Sequence, residues 1–132
     1  MRRRILVADD DPILREIASE HLTQAGYEVA LVEDGVQALK AVAAAPFDLI
    51  VTDMVMPNLD GIELLQALKR DYPAIPVVAI SAGMSAMDPE LILRAATAVG
   101  AVSVLTKPLV GETFLEHVRA ALAGAGAGAG PA

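Results

Sequence analysis

Five polar residues that could handle a phosphoryl group lie at the ends of short apolar runs. They are Asp9, Asp10, Asp53, Ser81 and Lys107. Carboxylates supply the oxygen ligands that Mg²⁺ prefers, and an ammonium group is a compact charge that binds phosphate. A carboxylate can also act as a nucleophile and form an aspartyl phosphate. If the apolar runs are parallel strands, these side chains meet at one edge of a sheet and form a site for a divalent cation and a phosphoryl group.

The apolar runs have the length and composition of β-strands. The predicted strands are residues 4–8, 27–32, 48–52, 76–80 and 101–105. The first, third and fourth are almost wholly apolar, which is typical of strands that are buried on both faces of a parallel sheet.

Helices are predicted between the strands. An aspartate that can cap a helix is followed by proline or glycine at Asp11-Pro12, Asp34-Gly35 and Asp88-Pro89. Another helix is predicted between Gly61 and Pro73, and a last one over residues 111–123. The resulting five βα units predict an α/β fold, a doubly wound five-stranded parallel sheet with five helices on its two faces.

Length and composition favour one domain without extracellular features. The chain has 132 residues, which suits a single domain over residues 1–123. Residues 124–132 contain only Gly, Ala and one Pro, and we expect them to be a disordered tail. The absence of cysteine excludes disulfides and thiolate metal sites and fits a cytoplasmic location.

Charge, aromatic content and hydropathy disfavour binding to nucleic acids and to membranes. A net charge of −7 disfavours binding to a phosphate backbone, and two Phe, two Tyr and no Trp offer no platform for stacking bases. No apolar run approaches the roughly 20 residues of a membrane span. We therefore expect no nucleic-acid partner and no membrane association.

The polar motifs, taken in order, resemble the receiver domain of bacterial two-component response regulators, of the stand-alone type, over about residues 3–123. The motifs are Ile-Leu-Val-Ala-Asp-Asp-Asp-Pro (5–12), Thr-Asp-Met-Val-Met-Pro-Asn-Leu-Asp-Gly (52–61), Ser81-Ala82 and Thr-Lys-Pro-Leu (106–109). The resemblance implies a flavodoxin-like fold with strand order 2-1-3-4-5 and a ligand site between the ends of strands one and three.

The resemblance also implies roles for the acidic residues. Asp53 would be the phosphoacceptor. Mg²⁺ would be held by Asp10 directly, by Asp9 through water, and by Asp53 and the backbone carbonyl of Val55. An apolar Val55, with a glycine two residues after Ser81, offers no polar group to orient an attacking water, so we expect slow loss of the phosphoryl group.

The remaining implied residues concern the phosphoryl group and the switch. Lys107 would pair with a phosphoryl oxygen, and Ser81 would hydrogen-bond the group once it is attached. Pro108 matches the position of a cis peptide in the family. Ala82 and Val104 match switch positions, but the family usually has Tyr or Phe where this chain has Val104. The segment between Ser81 and Lys107 is also about four residues longer than is common.

The implied function is that of a phosphoacceptor signalling domain and not of an enzyme. It would receive a phosphoryl group from a sensor histidine kinase or a histidine phosphotransfer protein and would switch its contacts with an unknown downstream protein, as a monomer or a weak dimer. Two alternatives remain open. Val104 favours an adaptor that acts without phosphorylation. An aspartyl-phosphate phosphohydrolase would need a second acid at the position of Val55.

Overall fold

The computed structural model describes residues 2–81 and 89–129 of the chain. Five strands form one parallel sheet in the order 2-1-3-4-5, as the sequence predicts. The strands are β1 (Arg4–Ala8), β2 (Glu28–Val32), β3 (Leu49–Asp53), β4 (Val77–Ser81) and β5 (Ser103–Thr106). The doubly wound, flavodoxin-like fold is therefore confirmed.

Five helices alternate with the strands. They are α1 (Pro12–Gln24), α2 (Gly35–Ala44), α3 (Gly61–Asp71), α4 (Pro89–Val99) and α5 (Gly111–Ala129). Aspartate side chains cap the first three by accepting a backbone N–H of the first turn: Asp11 from Ile13, Asp34 from Gln37 and Asp60 from Glu63. The expected cap of α4, Asp88, lies outside the described residues.

The two faces of the sheet bury separate apolar cores. On β1, Ile5 and Val7 contribute to the core under α1 and α5, whereas Leu6 and Ala8 contribute to the core under α2, α3 and α4. This division follows from the alternation of side chains along a strand. All four residues are fully buried, as the apolar composition of the central strands predicts.

Strand ends and one helix end differ from the predicted bounds. Strands β3 and β4 each end one residue later, so they include Asp53 and Ser81. Helix α5 ends at Ala129 instead of residue 123, and it therefore includes residues 124–129 of the expected tail. Extending a formed helix needs no new nucleus and alanine adds no propensity cost, which favours the extension although each Gly costs roughly 1 kcal/mol.

Two apolar residues on helices are more exposed than helical spacing alone would suggest. Ile17 of α1 and Val36 of α2 fall on the apolar faces of their helices by spacing, yet they are 39% and 40% exposed. The buried positions of α1 are Leu14, Ala18 and Leu22, a stripe with a spacing of four residues. In the part of the chain that the structure describes, no helix has the length and hydrophobicity needed to span a bilayer.

Candidate functional site

Four strand ends bring the predicted site residues to one edge of the sheet. Asp53 and Ser81 are the last residues of β3 and β4, while Asp9 directly follows β1 and Lys107 directly follows β5. The β4–β5 register pairs Ser81 with Thr106, and the Lys107 amide donates to the Ser81 carbonyl at 2.9 Å. Parallel strands in register thus place these side chains at their common carboxyl edge.

Lys107 lies between two buried carboxylates. Its Nζ is 3.3 Å from Asp9 Oδ2 and 3.3 Å from Asp53 Oδ2. Asp9 is fully buried and Asp53 is 4% exposed, whereas the lysine side chain is 21% exposed. One ammonium group therefore faces two carboxylates that have little access to water.

Backbone groups fix the orientation of Asp53. Its Oδ1 accepts the Met54 amide at 2.8 Å and lies 3.5 Å from the Val55 amide, which leaves Oδ2 facing Lys107. Gly61, the first residue of α3, lies directly against this turn. A Cβ at Gly61 would be only 2.5 Å from the Asp53 carbonyl oxygen, which shows how close the approach is. The turn after β3 thus holds one carboxylate oxygen and presents the other.

Asp9 has an oxygen without a hydrogen bond. Its Oδ1 accepts the Asp11 amide at 2.8 Å, and its backbone carbonyl accepts from Arg15 Nη1 at 2.6 Å. Its buried Oδ2 has no hydrogen-bond partner in the described residues, since Lys107 is within ion-pair distance but not in hydrogen-bonding geometry. An oxygen that has only the ion pair with Lys107 keeps a free lone pair and can accept a further cationic partner.

Burial dominates the titration of the acids. It raises the pKa of Asp9 to about 6, and the negative charge of Asp53 adds to this effect although the Asp11 amide and Lys107 oppose it. Burial also raises the pKa of Asp53, against the opposing effect of Lys107. Burial alone would lower the pKa of Lys107, but the carboxylates of Asp53 and Asp9 outweigh it and raise that pKa.

The three acids form a group that could hold a metal ion. One carboxylate oxygen from each of Asp9, Asp10 and Asp53 lies within 4.8 Å of the others. Asp10 is exposed, so a cation could reach the group from solvent. Hard oxygen donors and the Asp9 oxygen without a hydrogen bond fit a small divalent cation such as Mg²⁺.

Ser81 is buried beside this edge, at the end of β4. It is 1% exposed, and its Oγ has no hydrogen-bond partner among the residues that the structure describes. A buried hydroxyl without a partner is costly, so an incoming oxygen acceptor would improve its environment. The neighbouring predicted switch residue, Ala82, lies outside the described residues.

The other predicted residues lie around the site. Val55, in the loop after β3, is 51% exposed. Val104 is half-buried and packs against the core under α2, α3 and α4. The Lys107–Pro108 peptide is cis, as the resemblance implied.

One residue beside the site, Arg15, was not predicted from the sequence. Its side chain donates to the Asp9 carbonyl at 2.6 Å. The feature that could have indicated it is a cationic residue one helical turn after the Asp11 cap.

Comparison with known proteins identifies the family. The model described as the response regulator receiver domain matches residues 5–119. The chain belongs to the response regulator receiver family. It is therefore a signalling domain of two-component systems.

Relatives of this receiver domain include longer regulators. The DNA-binding response regulator MtrA of Mycolicibacterium smegmatis is 36% identical over 122 residues, which are 92% of this chain and 51% of that protein. Response regulator MprA of Mycobacterium ulcerans is 38% identical with the same coverage. The chain spans about half the length of the curated relatives it matches.

Solved structures show the same fold at similar and at greater total lengths. The chemotaxis protein CheY4 of Vibrio cholerae has a TM-score of 0.82 and 32% identity, over 92% of this chain and 99% of that one. NtrX from Brucella abortus has a TM-score of 0.87 and 28% identity, over 95% of this chain and 28% of that one.

Proposed function

We propose that this receiver domain accepts a phosphoryl group on Asp53 in a Mg²⁺-dependent reaction. The observation that carries the proposal is the Asp53 carboxylate itself. It is buried, held by the Met54 amide on one oxygen, and faces Lys107 on the other. A carboxylate in this position is oriented as a nucleophile, and the ammonium beside it can pair with an anionic group.

The proposed donor is a phosphohistidine on a sensor histidine kinase or a histidine phosphotransfer protein. An oxygen of Asp53 attacks phosphorus, and the P–N bond breaks with its electron pair remaining on the imidazole. Asp9, Asp10, Asp53 and the backbone carbonyl of Val55 would hold Mg²⁺, which would neutralise negative charge when bound. Lys107 would pair with a phosphoryl oxygen, which requires it to leave Asp53 Oδ2.

Signalling would follow from the new hydrogen bond at Ser81. The buried Ser81 hydroxyl, which has no partner among the described residues, would donate to a phosphoryl oxygen. Its movement, together with that of Ala82, Val104 and Pro108, would change the surface that an unknown downstream protein contacts. With small donors the domain would show at most weak self-phosphorylation and self-dephosphorylation.

Intact-protein mass spectrometry tests the proposal directly. The wild type is incubated with Mg²⁺ and acetyl phosphate, in parallel with Asp53→Asn and with a chelator control. We expect one phosphoryl gain in the wild type and none in the variant or without the cation. A gain that persists in Asp53→Asn would place the acceptor elsewhere, and no gain in the wild type despite Mg²⁺ binding would refute phosphoacceptor function with this donor.

Val104 favours a second candidate, an adaptor that acts without phosphorylation. It is a half-buried aliphatic residue where the family usually has an aromatic switch residue. A partner that binds the wild type and Asp53→Asn with equal affinity, with and without acetyl phosphate, would support this candidate. A partner whose affinity changes only after phosphorylation of the wild type would exclude it.

A further inference from the structure

The junction between β2 and α2 contacts both loops that carry the acidic cluster. It consists of Glu33 and Asp34, which contribute no carboxylate to the cluster. Arg15 connects it to the end of β1, and Asn58 connects it to the loop between β3 and α3. None of these four residues belongs to the predicted set of site residues.

Asp34 forms the connection to the β3–α3 loop. It is 7% exposed, its Oδ1 accepts the Gln37 amide at 2.8 Å, and its Oδ2 accepts Asn58 Nδ2 at 2.8 Å. These two hydrogen bonds, led by that from Gln37, lower the pKa of Asp34, so the contact with Asn58 is made by a carboxylate. Hydrogen bonds to an ionised acceptor are stronger than neutral ones.

The backbone conformation of Asn58 and the close approach of Gly35 hold the β3–α3 loop against the start of α2. Asn58 has a left-handed conformation with φ of 69°, which turns the loop towards α2. The first residue of α2, Gly35, lies so close to the loop that a Cβ there would be 2.5 Å from the Leu59 carbonyl oxygen. The start of α2 therefore rests directly on the loop that contains Val55.

Arg15 forms the connection to the end of β1. Its Nη1 donates to the Asp9 carbonyl at 2.6 Å, and its Nη2 is 3.6 Å from Glu33 Oε1. Glu33 is itself held to α2, since its amide donates to Gln37 Oε1 at 2.9 Å. The arginine side chain is only 16% exposed whereas the Glu33 side chain is 64% exposed, so the hydrogen bond to Asp9 is the shielded part of this connection and the ion pair with Glu33 lies at the surface.

We propose that the β2–α2 junction is a positioning brace for the metal site, holding Val55 through the Asp34–Asn58 hydrogen bond and Asp10 through the Glu33–Arg15–Asp9 connection. The proposal rests on the proposed function. Groups that orient metal ligands typically change metal affinity about 10- to 100-fold when removed. Here the brace acts on loops and not on ligand atoms, so we expect about a threefold to tenfold effect for each connection.

Mg²⁺ affinity, measured by titration calorimetry without any phosphodonor, tests the Asp34 connection. Asp34→Ser keeps a capping oxygen for Gln37 but is too short to reach Asn58, and we expect it to weaken Mg²⁺ binding about threefold to tenfold. Asp34→Asn is the matched control. It caps equally well and can bond Asn58 after a rotation of the Asn58 amide, so its affinity should stay within about twofold of the wild type.

Two further variants test the Asn58 contact in the β3–α3 loop and the Arg15 contacts with Asp9 and Glu33. Asn58→Gly keeps the left-handed turn but removes the amide, and Arg15→Lys keeps the charge but cannot contact Asp9 and Glu33 together. Both should weaken Mg²⁺ binding by a similar factor. In the metal-free protein, Asn58→Gly should also speed hydrogen exchange of the Gly61 amide, which donates to the Met54 carbonyl at 3.1 Å in the same loop.

The outcomes separate this proposal from the proposed function. If the wild type binds no Mg²⁺, the metal-dependent function fails. If the wild type binds Mg²⁺ and Asp34→Ser, Asn58→Gly and Arg15→Lys all stay within twofold of it, the brace is overturned while the function stands. The brace is also overturned if Asp34→Asn weakens binding as much as Asp34→Ser, because the loss would then follow from charge and not from the connection.

Discussion

Replacing Asp9 by Asn should stabilise the metal-free protein at neutral pH. The carboxylate is fully buried, and its pKa is raised from 3.8 to about 6. At pH 7 the ionised form therefore costs the folded state about 3 kcal/mol relative to the protonated form. Asn resembles the protonated acid and keeps an oxygen for the Asp11 amide, so Asp9→Asn should recover most of this free energy of unfolding.

The predicted gain depends on pH in a defined direction. Between pH 4 and 6 the folded protein binds the Asp9 proton more tightly than the unfolded chain does, so the contribution of Asp9 to wild-type stability falls as pH rises through this range. Below about pH 4 Asp9 is protonated in both states, and the advantage of the variant should vanish. Asp53 and Lys107 are the charged groups that shift the pKa of Asp9, and both remain in the variant.

The free energy of unfolding is measured by urea unfolding in a chelating buffer. The transition is monitored by far-ultraviolet circular dichroism because the chain has no Trp. At pH 7 the midpoint should rise by about 1 M or more if the m-value is about 2 kcal/mol/M. Asp10→Asn is the matched control, since Asp10 is the exposed neighbour and should change the midpoint little. An equal gain in both variants, or a gain that grows below pH 5, would refute the reasoning.

Three further predictions concern the same edge of the sheet. Lys107→Met should cost about 3 kcal/mol at pH 7, because two buried carboxylates lose their cation, and urea unfolding measures the loss. Gly61→Ala should cost about 2 kcal/mol or more, since the new Cβ would meet backbone at 2.5 Å, whereas Gly124→Ala has open space and should be neutral or stabilising in the same assay. Phosphorylated protein should lose its phosphoryl group slowly, because exposed Val55 cannot orient water; a lifetime of seconds by mass spectrometry would contradict this.

Parallel topology explains why the gathering of the acids could be predicted. Each acid and the lysine follow an apolar run, and the order of parallel strands brings Asp9, Asp53 and Lys107 together without any knowledge of side-chain packing. The brace could not be predicted in this way. It depends on the left-handed turn at Asn58 and on how closely Gly35 approaches the next loop, and neither follows from periodicity.

Helix faces and helix ends were less predictable for a different reason. Ile17 is compatible with an apolar stripe on α1, yet it is 39% exposed, because the buried stripe of the helix runs through Leu14, Ala18 and Leu22 and Ile17 lies beside it. The end of α5 at Ala129 depends on small differences in helix propensity between Ala and Gly. An interpretation from composition alone predicts a flexible segment there. The exposure of Ile17 therefore depends on tertiary packing, and the end of α5 depends on the helix that precedes the Gly/Ala segment.

The charge imbalance of the site connects its stability to its proposed function. Asp9 and Asp53 are buried with raised pKa values, and a single ammonium group lies between them. A fold selected for stability alone would replace one acid with a neutral residue. The same imbalance would favour a divalent cation, whose binding would return stability to the folded state. Across Asp9→Asn and Asp53→Asn, metal-free stability should therefore rise while Mg²⁺ affinity falls, whereas Asp10→Asn should lose affinity without gaining stability.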